Sequence, residues 1–473
     1  MKSCFFFLPS GPSTLATFWA FVIFFVGGST ADDDKIPLIF DGDANYDDTL
    51  ALMYLVSNPL FDIRAVTIAG AGFATHHGGP INQQQVLQLL GAGEIPVSYG
   101  APVSLSPIST FPIQWRVEID EFFQSQNLPD SDTPLSVYPS DILIANILKE
   151  STTAVTVAVS GPATNLALAL QREPELASRI SGLFLMGSNY GGGPNNVYDW
   201  QMTFNGVSGS CVEDASAADF TPNQKPLVDP NNMTLTAAIR PGCRGNDMST
   251  TGNTEWNVFL DALAWHTVTR IVATASHPPP IYVIASGATE DMPITMEDFE
   301  EGVVGLDEQL ASFIMNLAAA FLNGGEAKWW DTLLVVGMAN VITGLPIEES
   351  ICTAWTHSTG FKVELAWRSV NESEAAAGIL NPYGSITDKP GIGPNAIFCT
   401  QGNVTNMQDQ FWSTVGGEND GGTIADPDVY LRKLSSDGDE TTSSSAYSAS
   451  LTTMTVVMTV VGAVSSSTLY YFI

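Results

Sequence analysis

The sequence predicts an α/β fold built as one large domain, and three observations carry that prediction. A chain of 473 residues with 45% hydrophobic content can bury a large core, and that length fits a single α/β domain with insertions. The apolar run Ile36-Pro-Leu-Ile-Phe40 reads as a buried strand, and Thr49 to Val56 reads as a helix with an apolar face. Between them stand Asp41, Asp43, Asp47 and Asp48, four carboxylates within eight residues. A strand feeding a helix opens a βαβ unit, whose ligands bind at the carboxyl ends of the strands. The acids therefore sit where an α/β site would be.

Ahead of that first strand, Met1-Lys2 and two apolar stretches lead to small residues ending at Ala31 and then to Asp32-Asp-Asp34. This is the pattern of a secretory signal over 1–31, with cleavage near Ala31. After the domain, taken as 35–430, a Ser/Thr/Asp-rich linker (435–450) precedes a hydrophobic tail (451–473) that no Lys or Arg follows. The tail is either a glycolipid-anchor signal or a transmembrane helix, and the missing basic residues favour the removable signal. The chain is thus expected in the secretory pathway and at the cell surface, anchored through its tail. Cys4 leaves with the signal, and Cys211, Cys243, Cys352 and Cys399 remain as an even set suited to an oxidising compartment. The local pairings, Cys211 with Cys243 and Cys352 with Cys399, are preferred. Sequons at Asn232, Asn371 and Asn403 suit glycosylated loops. A formal net charge of −33 argues against nucleic acid as a partner, because phosphate-backbone binding rests on Lys and Arg.

Several chemistries could use the acidic cluster. An EF-hand loop from Asp41 wants Gly at its sixth position and Glu at its twelfth, where this chain has Tyr46 and Leu52. A haloacid-dehalogenase phosphatase would use Asp41 and Asp43 but leave Asp47 and Asp48 without a task. An acidic loop capping a helix needs one or two carboxylates, not four. A hard-cation site occupies all four: oxygen ligands hold Ca²⁺ or Mg²⁺, and a polarised water loses its proton to a neighbouring carboxylate.

The spacing Asp41-x-Asp43-x-x-x-Asp47-Asp48 resembles the N-terminal signature of the inosine-uridine-preferring nucleoside hydrolases, and further pieces follow in that family's order. Ala65 to Gly70 resembles its second strand and Ile95 to Ala101 its third. Val155 to Leu170 is similar to its central strand, Gly-Pro turn and helix, and "GLFLMGS" to the next strand. Thr254-Glu-Trp-Asn257 with Asp261 resembles its substrate-binding segment, and Trp330-Asp331 the place of its late metal-binding aspartate. The resemblance implies an open, Rossmann-like, mostly parallel sheet flanked by helices, and Ca²⁺-dependent hydrolysis of the N-glycosidic bond of ribonucleosides to free base and ribose. It implies that Asp43, Asp48, the Ser160 carbonyl and Asp331 hold one Ca²⁺ ion, and that Asp43 is also the catalytic base. Asp47, Asn246, Glu255 and Asn257 would bind the ribose, with Asp41 orienting the others. A homodimer and a homotetramer are both open.

Trp330 stands where many pyrimidine-accepting or nonspecific members carry His. The chain thereby resembles the purine-specific branch, in which Trp330 and Trp115, the latter on an early loop, would sandwich the base. Two departures temper this reading. Ala71 replaces a usual Asn or Asp sugar contact, and an insertion at about 189–242 interrupts the match next to Asn246. They keep alive an alternative, a catalytically silent relative that binds a nucleoside or keeps the metal for structure. His76 and His77 read as loop surface rather than as an acid for the leaving base, and His266 as packing.

Overall fold

The computed structural model describes residues 35–105, 111, 113–188, 255–323, 327–368, 381–388 and 395–417, with the backbone of 227–228 and 235–236. The expected leader, linker and tail, Asn246, Cys211 and Cys243, and the sequons at Asn232 and Asn371 lie outside the described residues. Among the described residues no helix is long and apolar enough to cross a membrane.

Strand β1 (Ile36–Gly42) runs into helix α1 (Tyr46–Ser57), as the apolar run and the helical face require. The helix starts earlier than its apolar face suggests. Asn45 caps it, and Asp48 closes a capping box by accepting the Asn45 backbone N–H at 2.9 Å. Asp47 and Asp48 are thereby placed in the first turn, at the positive end of the helix. The chain continues through β2 (Phe61–Ile68), α2 (Gly78–Leu89), β3 (Val97–Tyr99), α3 (Ile113–Ser125) and α4 (Ser140–Glu150). It then forms β4 (Val155–Val159), α5 (Thr164–Arg172) and β5 (Ile180–Met186), followed by the two-residue strands β6 (Leu227–Val228) and β7 (Leu235–Thr236). Helices α6 (Trp256–Leu260) and α7 (Ala262–Ala273) precede β8 (Ile281–Ile284), α8 (Met296–Gly302), α9 (Glu308–Asn323) and α10 (Trp330–Thr343). The last elements are β9 (Cys352–Ser358), the antiparallel pair β10 (Phe361–Arg368) and β11 (Asn381–Asp388), β12 (Ala396–Gly402) and α11 (Val404–Val415).

Eight strands form the main sheet in the order β3-β2-β1-β4-β5-β8-β12-β9. All neighbours are parallel except β9, which runs antiparallel to β12 at the edge. Both faces of the central strands are covered, which is why β4 and β5 read as nearly unbroken apolar runs rather than alternating ones. One core cluster joins Val157, Val159, Leu183 and Val283 of the sheet to Leu166 and Leu170 of α5 and Trp265 and Val268 of α7. From β1 the chain builds outward to β2 and β3, then returns to lay β4 on the other side of β1. The strand order therefore reverses between β1 and β4, where an open α/β sheet forms its ligand crevice. The expected Cys352–Cys399 disulfide is formed and ties β9 to β12.

Candidate active site

The crevice at the β1/β4 switch point is built from strand ends. Asp41 pairs in register with Val159, so the residues that follow, Asp43 and Ser160, emerge side by side. The Ser160 backbone N–H donates to the Asp41 carbonyl at 2.9 Å, and Ser160 Oγ donates to Asp48 Oδ1 at 2.5 Å. Asp48 is also close to the backbone N–H of Asp43, at 3.3 and 3.4 Å from its two oxygens. This crowding explains the glycines. A Cβ on Gly42 would lie 2.4 Å from Asp48 Oδ1, and one on Gly161 would lie 2.8 Å from the Asp43 Cβ. Buried Ala44 turns the chain with φ of +63°. That left-handed conformation costs a residue with a Cβ ~1–2 kcal/mol, and such strain gathers at functional sites.

Helix α10 packs on α1 and brings Asp331, in its own first turn, to the same place. One carboxylate oxygen from each of Asp47, Asp48 and Asp331 lies within 4.8 Å of the others, and all three residues are buried. Asp47, expected on the ribose, is thus a member of the cation-sized cluster, with Asp43 adjoining it. Asp47 Oδ1 is buried without a hydrogen-bond partner. Burial, reinforced by repulsion from Asp48, pushes the Asp47 carboxyl up to about 7, and the same causes hold Asp43 well above the usual carboxylate range. Asp331 is held up by burial and then by Asp47. Acids that repel one another out of water, with an oxygen left unpartnered, are what a divalent cation would relieve, and an all-oxygen donor set suits a hard one. The residues therefore fit the metal. Asp41 stands behind them: its Oδ1 accepts Thr67 Oγ1 at 2.7 Å and Asn165 Nδ2 at 2.8 Å, and burial raises it to about 7.

Across the crevice, Glu255 caps α6 by accepting the backbone N–H of Asn257 at 2.9 and 3.0 Å and that of Val258 at 3.2 Å. Burial nevertheless raises it to about 8. The Asn257 side-chain amide donates to the Ser160 carbonyl at 2.7 Å and to the Met186 carbonyl at 3.1 Å. The predicted sugar-binding segment is thereby joined to the β4 and β5 strand ends, and to the carbonyl expected to ligate the metal. Asp261 accepts from the Leu105 backbone N–H at 2.6 Å, Thr164 Oγ1 at 2.7 Å and the Ala264 N–H at 3.1 Å. It fixes the start of α5, just after the Gly161-Pro162 turn, against α7.

The two tryptophans lie in different aromatic groups. Trp330 is half-buried with Phe321 at 6.1 Å, and Phe321 stacks on Tyr46 at 5.5 Å. Trp115 lies on helix α3 rather than on a loop, because the stretch from Ile113 onward is helical, and it groups with Phe73, Phe111 and Trp256. His76 Nε2 lies 3.1 Å from the Gly100 carbonyl, and burial lowers its pKa, so it serves as a local hydrogen-bonding group. His266 sits on α7 near the Val363 carbonyl, at 3.4 Å, in keeping with packing. Thr67, Asn165 and Arg116 are site neighbours that the sequence did not single out. Their partners are distant in the chain, and no local spacing marks them.

Comparison with known proteins agrees with this geometry. The sequence profile of the family described as inosine-uridine preferring nucleoside hydrolase matches residues 38–428. Pyrimidine-specific ribonucleoside hydrolase RihA of Citrobacter koseri is 32% identical over 156 residues, covering 33% of this chain and 49% of that protein. The same-named protein of Photobacterium profundum is 36% identical over 154 residues, covering 32% and 48%. The chain spans about half the length of the curated relatives it matches. Among solved structures, the plant nucleoside hydrolase PpNRh1 superposes with a TM-score of 0.54 at 15% identity, covering 80% of this chain and 99% of that one. A purine-preferring ribonucleoside hydrolase from Gardnerella vaginalis gives 0.54 at 17%, covering 80% and 98%. Those two likenesses establish the fold. Kinship comes from the profile, which spans both halves of the crevice from Asp41 to Asp331: this chain belongs to the inosine-uridine preferring nucleoside hydrolase family.

Proposed function

We propose that the protein hydrolyses the N-glycosidic bond of ribonucleosides with Ca²⁺ as its cation and purine nucleosides as preferred substrates. The observation that carries this reading is the buried Asp47, Asp48 and Asp331 cluster, whose oxygens converge within 4.8 Å beside Asp43 and Ser160. Asp48, Asp331, Asp43 or Asp47, and the Ser160 carbonyl would hold the ion. When bound, it supplies the charge that lowers the pKa of water at the site. Asp43 takes the proton, since its carboxylate adjoins the cluster and is held there by the neighbouring glycine-rich turns. Breaking the bond builds positive charge on the sugar, and a site walled by buried carboxylates and carbonyls favours that charge. Glu255 and Asn257 would orient the ribose. Asn257 commits its amide nitrogen to Ser160 and Met186, so its side-chain oxygen is the atom offered to a hydroxyl.

Purine preference is supported by Trp330, a half-buried indole immediately before Asp331 where a flat base could stack. The pyrimidine-specific names of the curated relatives make this the part that experiment must decide. The leader, the sequons and the tail support a place outside the cell, in nucleoside salvage. Unprocessed protein in the cytosol would remove that part. The direct test is release of free ribose from inosine, adenosine, guanosine and uridine, with Ca²⁺ and with a chelator. Metal-dependent release from the three purine nucleosides alone supports the whole proposal, and uridine turnover removes the purine preference. No release from any of them by folded, calcium-loaded protein would leave the silent, nucleoside-binding reading.

A further inference from the structure

Arg116 is a buried arginine, and the proposed chemistry gives it no role. It lies on α3, on the far side of the loop that follows β2. Its Nη2 donates to the Gly70 carbonyl at 2.7 Å and to the Ala74 carbonyl at 2.7 Å, and its Nε donates to Ala74 at 3.2 Å. The same helix carries Asp120, one turn on, which accepts from Thr75 Oγ1 and from Asn82 Nδ2, the latter at 3.1 Å. Thr75 Oγ1 in turn accepts the Gly78 N–H at 3.0 Å. Arg116 and Asp120 therefore grip both ends of one segment, from the last residue of the β2 exit to the first turn of α2.

That segment is what Asp43 leans on. The Ala74 backbone N–H donates to the Asp43 carbonyl at 3.0 Å. Gly72 lies so close that a Cβ there would sit 2.1 Å from the Asp43 Cβ. Asp43 is thus wedged between Gly72 on the gripped loop and Gly161 on the β4 turn. Two carbonyls on one loop could be satisfied by a neutral amide. A buried guanidinium is costly, but it binds both carbonyls with one rigid, planar fork and sets a positive charge behind a crevice of acids.

We infer that Arg116 is a positioning residue for the hydrolytic step, holding the 70–74 loop so that its backbone fixes the side chain of Asp43. The inference rests on the proposed role of Asp43 as base. Lys at 116 keeps the charge but loses the fork, and Met keeps only the bulk.

The test compares Arg116→Lys and Arg116→Met with the wild-type chain in kcat and KM for inosine, thermal midpoint, and hydrogen exchange of the amides in 70–76. A misplacement of about 1 Å costs about a hundredfold in rate. The Met variant should therefore lose about a hundredfold in kcat and the Lys variant at least about tenfold, with KM changed less than about threefold. Exchange should accelerate in 70–76 in both. If the Met variant does not fold, the Lys variant decides. A merely structural arginine would lower the midpoint and leave kcat intact. Folded variants with kcat within about twofold of wild type and unchanged loop exchange would overturn the inference. Should folded, calcium-loaded wild-type protein release no ribose, the hydrolase reading fails and takes the hydrolytic role of Arg116 with it, whereas a wild type that turns over while both folded variants keep its kcat overturns the inference alone.

Discussion

Glu255 and Asp261 on one side of the crevice, and Asp43, Asp47, Asp48 and Asp331 on the other, are all buried, but they are buried on different terms. The first two are served by the protein itself: backbone amides at the starts of α6 and α7, the Leu105 N–H and the Thr164 hydroxyl all point at their oxygens. In the second group the carboxylates face one another: Asp48 still accepts from the Asn45 N–H and Ser160 Oγ, but Asp47 Oδ1 meets no donor. A buried charge is tolerable when paired or hydrogen-bonded and costly otherwise. The contrast separates carboxylates that complete the fold from carboxylates that wait for a guest.

Substitutions on the two sides should therefore fail differently. The largest effect is expected at Asp43→Asn, with kcat for nucleoside hydrolysis reduced by about 10³-fold or more, in the range lost with a general base, and the fold intact. Asp331→Asn should weaken calcium binding, read by calorimetry, by more than the 10–100-fold typical of residues that only orient a ligand. Asp261→Asn should act in reverse. It leaves one of its buried donors facing an amide N–H₂, so chemical denaturation should show a loss of about 1–3 kcal/mol while calcium affinity stays within about threefold.

Acidity acts on both sides, since burial raises Glu255 to about 8 as well. In cation-free protein Asp41 and Asp47 are raised from 3.8 to about 7, so the folded state binds protons that the unfolded state has already released. Their contribution to stability is complete below about pH 4 and is lost as pH rises through about 7, at ~1.4 kcal/mol per unit for each group. The melting temperature without cation should fall from pH 4 to 7.5, and saturating calcium should flatten or reverse that slope. The smallest effect is expected at Trp330→His, which should shift the inosine-to-uridine ratio of kcat/KM by about tenfold toward uridine, the scale of one stacked ring.

The acidic cluster was legible because four carboxylates at a strand end leave too few local donors to go round, and Gly161-Pro162 was legible as a strand-to-helix turn. The Cys352–Cys399 bridge followed from locality. The start of α1 was missed because the cap, not the apolar face, sets it. Trp115 was assigned to a loop because the stretch from Phe111 to Arg116 resembles an early loop of the family, whereas here the chain is helical from Ile113 onward. The grip of Arg116 on Gly70 and Ala74 left no trace, since a side chain bonding to remote carbonyls asks nothing of the residues that own them. Asn246 and the Cys211–Cys243 pair fall outside the described residues.

The position of β12 bears on how such a chain is made. This strand, at residues 396–402, lies between β8 and β9, both of which precede it in the chain. Until it has been synthesised, β8 ends the sheet with an open flank, and β9 has no strand to pair with. A nascent chain released early would expose an unpaired edge, the kind of surface through which incomplete proteins associate. Completion is thus a late, long-range event, and the bond between Cys352 and Cys399 would record that it had occurred.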